Sequence, residues 1–199
     1  MGVLRRLYHF FYADRVSSDM LKCYSLWVLD FVEREKLPSS VGDLKHLRYL
    51  NLSHGCFRTL LDYCTCLKML PNSLIRVKSL QQLSLNKCHA LSSLPPRIGK
   101  LTSLRILRYY IVGNKEGFLL AELGPLKLKG DLHIENMEKV KSVMDAKEAN
   151  MSMNQLNKLT LSWQIYNKKE WELQENIEEG FLKCLNLSPT TSKFERGRI

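Results

Sequence analysis

The chain has 199 residues, 45% of them hydrophobic and 25% charged, and its 30 Lys+Arg against 20 Asp+Glu give a formal charge of +10. That length suits one domain or a piece of one, and no apolar run approaches the roughly 18 residues that would cross a bilayer. The charge is uneven: residues 1–110 carry 17 basic and 7 acidic side chains, residues 111–199 carry 13 of each, so the first half holds all of the excess. An asymmetry of this kind points to an acidic partner surface.

In chain order, residues 1–20 are aromatic and basic, with Tyr8, Phe10, Phe11 and Tyr12 close together, and read as an N-terminal flank or partial cap. Arg5, Arg6 and His9 break the segment before a signal-peptide core can develop, and Arg6 stands where an N-myristoylation motif needs Ser or Thr. Leu26 to Phe31 (LWVLDF) alternates like a strand. Leu47 to Ser53 (LRYLNLS), Leu80 to Asn86 (LQQLSLN) and Leu104 to Tyr110 (LRILRYY) do so more strongly, and Lys129 to Ile134 and Leu156 to Leu161 are weaker copies. Leu37-Pro38, Leu70-Pro71 and Leu94-Pro95 each lie ten residues before Leu47, Leu80 and Leu104, so three returning arms share one length.

Leu80, Leu83 and Leu85 form an L-x-x-L-x-L arrangement with Cys88 three residues later, and Leu91, Leu94, Ile98 and Leu101 follow on the arm. Together these residues make one leucine-rich repeat. A single coil of this kind cannot bury its own apolar side, so one repeat implies neighbours above and below. The expected fold is therefore α/β: a leucine-rich-repeat solenoid over 21–187, with a curved parallel sheet on the concave side and short helices and loops on the convex side.

Leu47 and Leu80 lie 33 residues apart, longer than the roughly 20–29 of one repeat, so an irregular, compressed repeat with local strain is expected near 53–70. Val140, Val143, Met144 and Ala146 have helical spacing and predict a short convex helix within 140–153. Glu170 to Glu179 also reads as helical. The end, 188–199, lacks an apolar period and is expected to be a loose tail.

The six cysteines form no CxxC pair, and Cys64-Thr65-Cys66 has no matching second ligand pair, which points to reduced thiols in the cytosol and to no metal site. Cys88 occupies the Asn/Cys position of the repeat, where a weak S–H donor suits buried carbonyls. The histidines His9, His46, His54, His89 and His133 show no ligand spacing, and no nucleophile elbow or phosphate loop is present, so neither catalysis nor a cofactor is expected. Basic residues are scattered singly, unlike a nucleic-acid footprint.

The x positions of L-x-x-L-x-L leave the core and face the concave surface. They are Arg48, Tyr49 and Asn51; Gln81, Gln82 and Ser84; Arg105, Ile106, Arg108 and Tyr110; Asp131 and His133; and Lys158 and Thr160. Arg and Tyr are enriched at interface hot spots, so this strip is the candidate protein-binding face.

From Leu104 onward, Ala121-Glu122-Leu123-Gly124 and the DAKEAN of Asp145 to Asn150, together with LPSSVGDLKHLRYLNLS before them, narrow the resemblance. The chain from about Leu21 to about Leu187 resembles the leucine-rich-repeat region of plant coiled-coil, nucleotide-binding, leucine-rich-repeat disease-resistance proteins. The resemblance implies a recognition and autoregulatory module in plant defence. In that family the repeats hold a nucleotide-binding region inactive and take part in sensing pathogen proteins, so the implied partners are that region or a pathogen or host protein. With no phosphate loop here, no nucleotide chemistry carries over. The alternatives are a free-standing repeat scaffold for a signalling protein, a ligase substrate receptor, or a gene fragment without function.

Overall fold

A computed structural model describes residues 26–30, 37–53, 67–86, 88, 90–150, 155–164 and 192–197. Among them lie eight strands: β1 (Val28–Asp30), β2 (Tyr49–Asn51), β3 (Gln82–Ser84), β4 (Ile106–Leu107), β5 (Tyr109–Ile111), β6 (Lys129–Glu135), β7 (Gln155–Gln164) and β8 (Ser192–Gly197). They pair in chain order, β1-β2-β3-β4 and β5-β6-β7-β8, and every pairing is parallel. The first seven overlap the six stretches whose alternation predicts strands, with β5, β6 and β7 running past the predicted ends.

Arg108 alone separates β4 from β5. The backbone ladder crosses it: the Lys129 N–H donates to the Arg105 carbonyl and the His133 N–H to the Arg108 carbonyl, both at 2.8 Å. The two sheets therefore follow one another along one stack of coils.

The returning arms repeat one hydrogen-bonding scheme because they repeat one sequence. Pro38 and Pro71, with φ near its fixed value, start the 3-10 helices Ser39–Asp43 and Asn72–Arg76. In three successive arms the N–H of Leu44, Val77 and Leu101 donates to Val41, Leu74 and Ile98, and that of Leu47, Leu80 and Leu104 then donates back to Leu44, Val77 and Leu101. This turns the chain inward at the same place each time. Leu44, Leu47, Leu74, Val77, Leu80, Leu83, Ile98, Leu101 and Leu104 all lose their solvent exposure completely, forming a column that continues through Leu123, Ile134 and Leu161. At roughly 25 cal/mol per Å² of apolar surface, that column is the main favourable term in folding.

Side chains also tie each coil to the one before. Ser79 Oγ donates to the carbonyls of Lys45 and Leu47, both at 2.7 Å, and Ser73 Oγ donates to the Ser39 carbonyl at 2.5 Å. Cys88 Sγ lies 3.5 Å from the Leu52 carbonyl of the preceding coil, as the Asn/Cys position of the repeat requires. The arms approach so closely that two glycines are obligatory. A Cβ at Gly42 would stand 2.5 Å from the Ser73 carbonyl oxygen, and one at Gly99 2.6 Å from that of Glu122.

The third arm has the same length but a different start. Pro96-Arg97 stands where the other arms already begin their 3-10 helix, and Arg97 takes the left-handed conformation with φ 60 before the shorter 3-10 helix Ile98–Lys100. Its N–H donates to the Gly117 carbonyl at 2.6 Å and its guanidinium pairs with Glu116 at 2.9 Å. The turn-rich 113–117 segment is thereby fixed against the third arm.

The spacing-predicted helix is present but shorter, as α1 (Val143–Glu148), started by a capping box between Ser142 and Asp145. One expectation is corrected. The end of the chain is not a loose tail over 192–197: those residues form β8, with Ser192 to Gly197 in register with Leu159 to Gln164. Pairing on a sheet edge uses backbone groups and needs no apolar period. Tyr49 and Gln82, 33 residues apart, are direct register partners, so β2 and β3 belong to adjacent coils. Residues 54–66 within the irregular repeat, the 1–20 flank and the 170–179 helix lie outside the described residues.

Gly42→Ala and Gly99→Ala are each expected to lower stability by about 1–3 kcal/mol, because a backbone carbonyl cannot yield as a side chain can. Because they lie at different coil interfaces, their effects in the double variant should add to within about 0.5 kcal/mol, as read from urea unfolding midpoints.

Candidate functional site

Backbone bonds align the sheet's outer face into transverse rows. The Arg48 N–H donates to the Trp27 carbonyl, Gln81 to Arg48, Arg105 to Gln81 and Lys129 to Arg105, each at 2.8 Å. This places Trp27, Arg48, Gln81, Arg105 and Lys129 side by side at the strand starts, with about 4.8 Å between neighbouring strands. The next row is Val28, Tyr49, Gln82 and Ile106, and the third is Asp30, Asn51 and Ser84.

The first row is cationic. Arg48 and Lys129 are exposed and Arg105 half-buried, with Lys45, Lys78 and Lys127 in the turns just before it. Among the described residues no carboxylate pairs with any of these six; the two ion pairs found there are Arg76–Asp43 and Arg97–Glu116. Arg48 instead lays its guanidinium over the Trp27 ring, 4.5 Å from the centroid. Arg105 donates to the carbonyls of Thr102 and Leu104 at 2.9 and 3.1 Å, which holds its head group in place. Trp27 and Tyr49 are 44% and 43% exposed, an unusual state for large aromatics and one expected at interfaces.

The third row is polar and largely satisfied. Asn51 donates to Asp30 at 2.9 Å and accepts from the Ser53 N–H at 3.1 Å, while Gln82 donates to Ser84 at 3.1 Å. Farther along, Tyr109 stacks on His133 with centroids 5.3 Å apart, and Arg108, Asp131 and Lys158 are exposed.

Eleven of the fourteen residues read from sequence as facing the concave surface are thus at least partly accessible: Arg48, Tyr49, Asn51, Gln81, Gln82, Arg105, Ile106, Arg108, Asp131, His133 and Lys158. Three are not. Ser84 and Thr160 are buried at 7% and 6%, enclosed by neighbouring strands. Tyr110 is a core residue, 1% exposed. The cause is the break at Arg108: the inward sequence runs Leu104, Leu107, Tyr110 instead of Leu104, Leu107, Tyr109, so the two tyrosines exchange places. Inside, Tyr110 finds a partner, donating its hydroxyl to the Leu119 carbonyl at 2.6 Å. Outside, Tyr109 takes its place against His133.

Sequence reasoning passed over Trp27 and Tyr109. Aligning Leu26-Trp27-Val28-Leu29 with Leu47-Arg48-Tyr49-Leu50 would have found Trp27, because each leucine pair brackets the same two outward positions. Nothing in the pattern signals the one-residue shift at Arg108.

No group of three or more His, Cys, Asp or Glu among the described residues is placed to hold a metal ion, and no helix among them is long and apolar enough to cross a membrane.

Burial, and after it the Glu122 carboxylate, push the Tyr110 phenol well above its ordinary value of 10.0. The folded state holds this proton more tightly than the unfolded chain, so the contribution is complete below pH 10 and is lost as pH rises through the folded value. Tyr110→Phe is expected to cost about 1 kcal/mol at pH 7 and to reduce the alkaline loss of stability, measured by urea unfolding at pH 8 and above pH 10.

The family model described as R13L1/DRL21 LRRs matches residues 120–195, a span that includes β6, β7 and most of β8. Disease resistance protein RGA2 of Solanum bulbocastanum is 42% identical over 171 residues, covering 77% of this chain and 18% of that protein. Two more proteins of that species, RGA1 and RGA4, carry the same designation in provisional form. They are 42% and 41% identical over 153 and 177 residues, covering 69% and 80% of this chain but 16% and 18% of their own lengths. The chain thus spans under a fifth of the length of these relatives. Parallel coils, a leucine column and these matches agree that the chain is a leucine-rich-repeat region of the plant disease-resistance-protein family.

Proposed function

We propose that this chain acts as a protein-recognition and autoregulatory module of a plant intracellular immune receptor, working in the cytosol by binding and not by catalysis. The observation that carries the reading is the row Arg48, Arg105 and Lys129, with Lys45, Lys78 and Lys127 behind it, free of described carboxylate partners and aligned by the backbone ladder. Unpaired charge of one sign on a rigid face steers and orients an oppositely charged partner more than it stabilises the fold that bears it. An acidic face of a receptor's nucleotide-binding region fits that description, and a pathogen or host protein with a comparable face would use the same residues. The relatives bear on the same point, because the proteins named for disease resistance share this repeat region.

Recognition is favoured over a free-standing scaffold or an inert fragment by what the outer face displays. Apart from Asp131 and Glu135, its accessible strand positions from β2 to β6 carry mainly cations, aromatics and amides, with Ile106 the apolar member.

The test is titration calorimetry of the full 199-residue chain with a separately produced receptor nucleotide-binding region. Arg48→Glu, Arg105→Glu and Arg108→Glu together are expected to weaken association by about tenfold or more, and added salt should weaken the wild type in the same direction. Association unchanged by the three reversals would contradict the electrostatic account.

A further inference from the structure

The cationic row does not stand alone. It borders an apolar one, and the two meet at the β1–β2 corner. Trp27 heads the first row and Val28 the second; Arg48 covers one face of Trp27, and Tyr49, in register with Val28, stands beside them with 43% of its surface open. Ile106, half-buried, closes the second row three strands away, with Gln82 between. Asp30, the described carboxylate on β1, is already held by the Asn51 amide at 2.9 Å.

We propose that this corner binds a short extended segment of a partner protein in which acidic residues are interleaved with apolar or aromatic ones. The proposal rests on the protein-recognition reading above and specifies its ligand. Such a segment would lie across the strands. Its carboxylates would meet Arg48, Arg105 and Lys129, and its apolar side chains would cover Val28, Tyr49 and Ile106. Charge complementarity selects an acidic occupant, and two exposed aromatics beside the charges select one that also carries apolar surface.

A single-stranded nucleic acid would also meet positive charge and aromatic rings, but it binds by stacking bases on open ring faces. Here one face of Trp27 is already taken by Arg48 at 4.5 Å, which leaves less open ring for bases and favours the peptide.

The full 199-residue chain is titrated into three fluorescein-labelled probes: a short peptide alternating Glu with Leu and Phe, the same peptide with Gln for every Glu, and an oligothymidylate. The acidic peptide should bind, weaken with salt, and exceed its Gln version by about tenfold. Trp27→Ala and Arg48→Glu should each weaken it several-fold, whereas Lys141→Glu, an exposed residue in the turn before α1, should not. Arg48 is exposed, so its variant is expected to keep the wild-type circular dichroism spectrum and urea midpoint even if Trp27→Ala does not.

Equal binding of the acidic and Gln peptides would overturn the proposal, as would equal damage from Lys141→Glu and Arg48→Glu. Tighter binding of oligothymidylate with the same residue dependence would overturn it in favour of nucleic acid. If the peptide fails while the nucleotide-binding region still associates, the proposal falls and the protein-recognition reading survives. If both fail, the reading itself is lost.

Discussion

No coil of this chain can bury its own leucines, and the rest of the structure depends on that constraint. Leu47, Leu80 and Leu104 lose all exposure only because the coils on either side cover them, and the same stacking brings successive strands into parallel register. Local stability is thus an interface property. Each coil contributes its inward leucines and its two layers of backbone bonds, and neither has value without a neighbour.

The stacking also decouples the outer face from the loops. Register partners lie 21 residues apart between β1 and β2, 33 between β2 and β3, and 24 between β3 and β4, yet the row from Trp27 to Lys129 is held by the same backbone bond at every step. The differing spacings leave the register of the described strands unchanged. A face built this way can present charges from distant parts of the sequence at fixed spacing, which recognition needs. The resulting surface is divided by chemistry into a cationic row, a row of aromatic and apolar character, and a polar row already satisfied from within.

Much of this was legible in the sequence because the leucine period and the Leu-Pro arms are strong, local and repeated. The strands of six coil segments, the convex helix and the outward places of Arg48, Tyr49, Asn51, Gln81 and Gln82 all follow from counting. What was illegible came from single events. The shift at Arg108, which sends Tyr110 inward to the Leu119 carbonyl and Tyr109 outward to His133, leaves no mark in the L-x-x-L-x-L pattern. The pairing of β8 with β7 is made by backbone groups at a sheet edge, so a stretch without apolar period folds as a strand. Burial of Ser84 and Thr160 reflects crowding by neighbouring strands, which no one-coil pattern encodes.

The central claim is that one uninterrupted stack carries the whole outer face, including across the break at Arg108. Native-state hydrogen exchange on the 199-residue chain tests it most directly. The amides of Arg48, Gln81, Arg105, Lys129 and His133 bond to the preceding coil in one continuous series, and they should exchange as a single protected band with graded fall-off only at its ends. Two separately exchanging blocks divided at Arg108 would contradict it, because the face would then be two short units and not one surface.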